Sequence, residues 1–453
     1  MSKTVKLKKG LNIKLVGEAE KVSAEFVLPS SISVRPSDFH GLTPKMVVKA
    51  GDTVLAGDTL FFNKYKEKVK CVTPISGVVR DIIRGEKRTI LEIIVDSDGS
   101  QKYKTSNQIN LASVSREDLK EHMLNKGLWM FIKQRPIDIV ADPETTPKAI
   151  FVSAFDSSPL AADLDFMLQG ESDNFQAGLD ALSKLTDGTV HLTLNCDSRS
   201  DEVFSNSKNV QINKISGKHP VGNVGTQIHH IDPINKGELV WTVNAQDVMI
   251  IGRCLLSGKF DTSKMIAFTG SEAKNRKYFK TLACASIAEI VKKNIEGDNV
   301  RIVSGNPLTG ERISEDGYLG FYANQITVLP EGNEYKFFLT KGWLGPGFDK
   351  YSYSRLFPTF LSPNKRKRLD TNTNGEERGF VVTGEMEKVF PFDILPMQLV
   401  KAAITDDIDG MENLGIYEVI PEDFALCEYV CTSKINIQDK IRTALDLIQD
   451  ECM

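Results

Sequence analysis

The sequence predicts a multi-domain chain of mixed α/β and α+β class, and three observations predict it. At about 100–200 residues per domain, 453 residues imply roughly three domains, each large enough to bury its own core. The first hundred residues are rich in β-branched residues and glycine turns, the pattern of short strands in a compact β-unit. From Ala149 the chain alternates apolar strand and amphipathic helix, the pattern of a doubly wound sheet. We place the units at 1–100, 101–257, 258–313 and 314–453.

In the first unit, Gly51-Asp52 and Gly57-Asp58 repeat one turn signal six residues apart. Thr73-Pro74-Ile75-Ser76-Gly77-Val78-Val79 adds a further turn and strand. This stretch resembles the biotinyl/lipoyl-type barrel-sandwich. Carrier domains of that kind present an acceptor lysine in Met-Lys or Asp-Lys context. Here the intervening segment reads Asn63-Lys64-Tyr65-Lys66-Glu67-Lys68, so a structural β-module is favoured over a lipoylated arm.

In the second unit, Ser115 with Asp118 can cap a helix whose buried face carries Leu119 and Met123 and whose stop is Gly127. Leu128-Trp129-Met130-Phe131-Ile132-Lys133-Gln134-Arg135-Pro136 follows. Trp129 and Phe131 offer aromatic surface, and Lys133 and Arg135 offer cations that could polarise a quinone carbonyl. The competing reading is a core edge with snorkelling basic tips. Ala149–Ala154 is a continuous apolar run, as buried parallel strands tend to be. Asp173 and Gln176 suggest a loose capping box for a helix burying Phe175, Leu179 and Leu182, and Thr189–Leu194 alternates like the next strand. His219, His229 and His230 gather in one Gly-rich loop, where imidazole could donate a proton near neutral pH. Their satisfying of backbone groups is the favoured alternative.

In the third unit, Met265–Phe268 and Val300–Val303 read as strands, with Ser286 and Glu289 as a capping box between them. In the fourth, residues 343–364 carry aromatics, Gly and Pro, and Ile437, Ile441, Leu445 and Ile448 mark a closing helix. Lys365-Arg366-Lys367-Arg368 is a solvated loop or a contact for anionic headgroups.

Composition excludes several classes. A net charge of -4 argues against a nucleic-acid binder. Seven thinly spread cysteines read as reduced thiols. The basic start, Met1–Gly10, has no apolar h-region. Membrane spans need about 20 apolar residues, and the nearest candidate, Leu239–Leu256, is broken by Asn244, Gln246, Asp247 and Arg253. The expectation is a soluble chain. No Gly-x-Gly-x-x-Gly, Walker, His-Glu-x-x-His or Cys-x2-Cys motif occurs. Cys427 and Cys431 lack the four-ligand set of a cluster or structural zinc, so a structural pair is favoured.

Several segments, in consistent order from end to end, resemble the A subunits of the Na+-translocating NADH:quinone reductases, the NqrA family. They include Lys8-Lys9-Gly10-Leu11, Gly127-Leu128-Trp129, Lys148–Ala154, Pro159–Asp163, Ala177-Gly178-Leu179-Asp180 and His219-Pro220. Val303-Ser304-Gly305, Leu308-Thr309-Gly310, Thr373-Asn374-Gly375 and Leu426–Cys431 continue the series. The resemblance implies a barrel-sandwich, a Rossmann-like degenerate flavoprotein core, a β-grasp soluble-ligand-binding (SLBB) unit and a C-terminal helical part. It extends to the C subunit of the Rnf complex and to the flavin-bearing NADH-binding subunit of respiratory complex I. In those catalytic relatives a Gly-rich flavin loop sits about where Leu128–Pro136 falls. Their cluster cysteines are reduced here to Cys427 and Cys431, and Thr432 replaces the proline that commonly follows. The resemblance therefore implies a peripheral subunit of a six-subunit complex that uses NADH, flavins, an iron–sulfur cluster and quinone, with none bound by this chain itself. It implies docking on the membrane-embedded B subunit, on the cytoplasmic face of the bacterial inner membrane, with scaffolding and a share in the quinone site. An independent flavin-dependent NADH dehydrogenase and a lipoyl-type adaptor are the rival readings.

Overall fold

The computed structural model describes residues 3–105, 108–197, 202–342, 344–353 and 357–453. Trp343, within the aromatic stretch noted above, lies outside the described residues. Two antiparallel sheets form the N-terminal sandwich. One has four strands in the order Ser31–Val34, Ile90–Ser97, Gly77–Arg84, Thr53–Val54; the other joins Pro44–Met46, Thr59–Asn63 and Lys66–Val72. The repeated Gly-Asp pair has a physical reason at each copy. Gly51 and Gly57 take φ of 92° and 98°, a region that suits glycine. Asp52 and Asp58 then accept the backbone N–H groups of Lys49 (2.7 Å) and Leu55 (2.9 Å), closing each turn.

The central sheet has seven strands. Thr4–Lys6, Gln211–Ser216, Thr189–Asn195, Ala149–Ser153 and Val240–Thr242 run parallel, and Lys133–Arg135 and Ile139–Val140 finish the edge antiparallel. The first of these strands comes from the extreme N-terminal stretch, outside the unit drawn at 101–257. Helices Ser172–Leu185 and Ala245–Ser257 pack backbone to backbone over the sheet. A Cβ on Gly178 would meet the Val248 carbonyl at 2.0 Å, and one on Gly252 the Asn174 carbonyl at 1.9 Å, so both positions require glycine. Helix Arg116–Asn125 is capped as expected, by Ser115 accepting from Asp118, and stops at Gly127 in the left-handed region. The expected box at Asp173 and Gln176 does not form. The cap residue is Glu171, and Gln176 instead donates to Asp180 and to the Lys208 carbonyl.

The third sheet orders Tyr278–Leu282, Ser263–Thr269, Gln325–Pro330, Val300–Ser304 and Glu311–Ile313, with helix Ala288–Asn294 against it. Its middle strand is Gln325–Pro330, so a boundary at 313 cuts through the sheet. Ser286 is likewise no cap: Ile287 holds that position, and Ser286 bridges Tyr318 instead. The C-terminal helices, including Pro396–Ile404 and the closing Ile437–Cys452, enclose a second core. Ile437, Ile441, Leu445 and Ile448 sit at its centre, and Ile13 and Leu15 from the N-terminal stretch join it. No helix of the described residues is long and apolar enough to cross a membrane.

Candidate functional site

The stretch from Leu128 to Arg135 is the seam along which the units meet. Leu128–Phe131 forms a single 3-10 turn, every residue of it buried. The Trp129 indole N–H donates to the Ala141 carbonyl at 2.7 Å, and its ring meets Trp241 edge-on at 5.3 Å. Phe131 lies 4.8 Å from Phe321 and 6.5 Å from Phe260. Both rings belong to the core shared by the sandwich and the central sheet. Their faces are taken up by packing, which leaves neither free to stack on a planar ligand.

Lys133 and Arg135 also turn inward. Lys133 pairs with Asp138 at 3.3 Å and lies over the Tyr322 ring, 4.6 Å from its centroid. Tyr322 donates its hydroxyl to the Met130 carbonyl at 2.6 Å, tying the third unit to the seam. Burial raises the Asp138 carboxyl, but Lys133 and Arg135 outweigh burial and hold it below the ordinary value. Arg135, 1% exposed, donates to Asp423 at 3.0 Å across 288 residues of sequence. The strand thus pins the central sheet to the C-terminal helices. Helix Val224–Ile231 makes room for the pair with Gly225, where a Cβ would lie 2.4 Å from both the Arg135 and the Asp423 side chains.

The three histidines do not form one cluster. The His219 ring faces the Ser157 hydroxyl at 3.0 Å, and its backbone N–H donates to Asn12. Burial pushes its pKa down to about 4, so the ring is neutral near pH 7. His229 and His230 sit at the end of helix Val224–Ile231. His229 Nε2 accepts the Asp393 N–H at 3.0 Å, which puts the proton of the neutral ring on Nδ1, facing Glu418 at 2.7 Å. His230 donates to the Pro391 carbonyl, and burial followed by the neighbouring His229 lowers its pKa. All three rings join separate segments of chain.

Sequence reasoning missed two further buried charged groups at the same seam. Asp247 and Lys264 are each 1% exposed, and Asp247 Oδ1 and Lys264 Nζ lack hydrogen-bond partners among the described residues. Burial pushes Asp247 up to about 6, with Lys264 opposing the shift; burial lowers Lys264, with Asp247 opposing. The signal was present, since Asp247 is one of the polar residues interrupting Leu239–Leu256.

Trp129 and Phe131 occupy a packed core, and Cys427 and Cys431 are buried among apolar side chains of the second core. Among the described residues, no group of three or more His, Cys, Asp or Glu side chains is placed to hold a metal. The basic run is also engaged: Arg366 pairs with Glu18 at 2.6 Å, Arg368 with Glu272 at 2.8 Å, and buried Lys367 donates to the Phe348 carbonyl. It fastens the N-terminal stretch rather than waving in solvent.

Comparison with known proteins gives three family-model matches. Residues 5–98 match the NqrA N-terminal barrel-sandwich hybrid domain, 114–260 the NqrA second alpha/beta domain, and 265–315 the NQRA C-terminal domain of SLBB type. The chain is similar to the A subunit of the Na(+)-translocating NADH-quinone reductase of Hahella chejuensis, at 35% identity over 99% of this chain and 100% of that one. The subunits of the same name from Rhodopirellula baltica (35%, covering 98% of each chain) and Neisseria meningitidis (34%, covering 99% and 100%) are comparably similar. A solved NAD+-reducing nickel–iron hydrogenase overlaps 68% of this chain and 55% of its own at 10% identity. Its TM-score of 0.34 carries no argument.

Proposed function

The chain belongs to the NqrA family, the A subunits of the Na(+)-translocating NADH-quinone reductases, and from that premise we propose that it serves as a scaffolding subunit of such a complex, docked on its membrane part. The observation that carries this reading is the surface offered by the described part of residues 335–361. Tyr335, Phe337, Phe338, Leu339, Leu344, Phe348, Phe360 and Leu361 are all exposed, eight large apolar side chains in 27 positions. Monomeric proteins rarely show contiguous apolar patches beyond a few hundred Å2, and larger ones mark interaction sites. A membrane-embedded partner at the cytoplasmic face, the B subunit in the finer form of the proposal, is the occupant whose chemistry suits such a surface.

The reading gives this chain no flavin and no cluster of its own. It favours scaffolding over quinone binding at Trp129, Phe131, Lys133, Arg135, His219, His229 and His230, because each already has internal partners. Two measurements test it. Phe337→Asp with Phe338→Asp should abolish co-purification with the membrane subunits while leaving the fold of the free chain intact; retained assembly would sink the docking surface. A featureless visible spectrum without iron or zinc is expected of the purified chain. Bound flavin or stoichiometric iron would overturn the cofactor part.

A further inference from the structure

A cavity of about 380 Å3 opens on the third unit, away from the seam. Three elements build it. Strand Tyr278–Leu282 forms the edge of its sheet, and the stretch from Ser23 runs alongside: Ala24 donates to the Tyr278 carbonyl and Val27 to the Lys280 carbonyl. Helix Ala288–Asn294 closes the other side. Val27, Phe279 and Ile290 give the cavity an apolar floor, and Lys277, Lys280 and Lys293 stand around it.

The charge at this mouth is unspent. Glu289 is the one carboxylate among the lining residues, so three cations face one anion. Among the described residues, none of the four forms an ion pair within 4.0 Å, although elsewhere Lys and Arg side chains of this chain find carboxylates freely. Lys277 lies 5.3 Å from the centroid of the Phe279 ring, so cation and apolar floor adjoin. At the inner end Asn294, 7% exposed, is held by the Ile290 carbonyl and by Asn275. Small-ligand sites are concave, mainly apolar and edged by a few polar groups, with volumes from about 300 Å3 upward. This cavity meets each condition.

We propose that it is a binding site for a small amphipathic anion, an apolar body carrying one carboxylate, phosphate or sulfonate. The floor takes the body, and Lys277, on the Phe279 face of its strand, takes the charge with Lys293. The apolar part excludes a bare phosphate ion, and the lysines exclude a neutral hydrocarbon as the preferred ligand. Such an anion can be a free solute or a lipid reaching in from a bilayer.

The test titrates the purified full chain with 1-anilinonaphthalene-8-sulfonate, reading fluorescence and calorimetric stoichiometry. Phe337→Asp with Phe338→Asp serves as background, since exposed apolar side chains such as Phe337 and Phe338 are competing places for this dye. In that background one saturable site is expected. Lys277→Glu with Lys293→Glu should weaken it at least tenfold, and Ile290→Trp, which fills the floor, should remove it. Competition by decanoate but not by phosphatidylglycerol vesicles assigns a free solute; competition by vesicles assigns a lipid. A dye affinity that survives both the charge reversal and Ile290→Trp would overturn the proposal, as would the absence of a saturable site.

Discussion

Residues 128–135 and the described part of residues 335–361 both mix aromatic side chains with cations, yet the fold treats them in opposite ways. In the first, Trp129 and Phe131 are enclosed and Arg135 is 1% exposed; in the second, Tyr335, Phe337 and Phe348 stand in solvent. The difference teaches where chemistry suggested by residue type should be sought. An aromatic beside a cation looks like a ligand platform wherever it occurs. Only the surface that remains unsatisfied after folding has binding energy left to give.

Breaking the Arg135–Asp423 pair is the largest expected perturbation. Arg135→Met leaves Asp423 buried and uncompensated, which costs about 3–5 kcal/mol. The double change Arg135→Met with Asp423→Leu removes both charges and should recover most of that loss. Denaturant unfolding of the parent chain and the two variants measures it. If Arg135→Met alone costs under about 1 kcal/mol, the pair is effectively solvated and the seam is no pin.

The aromatic half of the comparison sharpens next. Trp129→Ala should cost about 3–5 kcal/mol, from lost burial, the cavity left behind and the indole hydrogen bond to Ala141. Phe337→Ala should change the stability of the free chain by no more than about 0.5 kcal/mol, as exposed positions generally do. Equal losses at the two sites would mean that 335–361 is packed in solution, and the docking argument would fall.

Much of this arrangement was legible in local pattern, and the rest was not for a definable reason. The Ser115 cap, the Gly127 stop, the Gly-Asp turns and the closing helix are encoded within a few residues, and each stands where the pattern put it. Two capping boxes failed because the Gln176 side chain found partners in Asp180 and Lys208, and because the Ser286 backbone is drawn into a bridge with Tyr318 that leaves Ile287 at the cap. The pairs that build the seam join residues 288 positions apart, in Arg135 with Asp423, or strands such as Thr4–Lys6 and Gln211–Ser216. No periodicity carries such information. Asp247 was visible as an interruption, but only the fold shows that it is buried beside Lys264.

Acid should separate these buried groups by sign. His219 and His191 have folded pKa values near 4, pushed down first by burial, against about 6.5 when unfolded. Between those values the unfolded chain holds more protons, so their contribution is full above about pH 6.5 and is lost as pH falls toward 4. Asp247, raised to about 6, does the reverse: its folded form holds the proton, and stability is gained as pH falls from 6 toward 4. Each group contributes at most about 1.4 kcal/mol per pH unit. Asp247→Asn removes one such opposing gain, so its stability should fall more steeply on acidification than that of the parent chain. Unfolding midpoints between pH 7 and 4 decide this; a shallower slope in Asp247→Asn would show that Asp247 is ionised in the fold.

The smallest effect concerns the basic run, which lies between the two extremes of the comparison. Arg366 and Glu18 are each about half exposed, so their 2.6 Å pair is well screened, and Arg366→Ala should cost less than about 1 kcal/mol. The same holds for Arg368, exposed on its own side although Glu272 is not. Because both cations already face carboxylates and Lys367 is buried, these three residues of the run have little charge to offer a bilayer. Sedimentation with anionic vesicles should therefore be unchanged in Arg366→Ala with Arg368→Ala, where two free headgroup contacts would each be worth about 1 kcal/mol. A clear loss of vesicle binding would show that these pairs open at a membrane, and would add a charged edge to the apolar surface at 335–361.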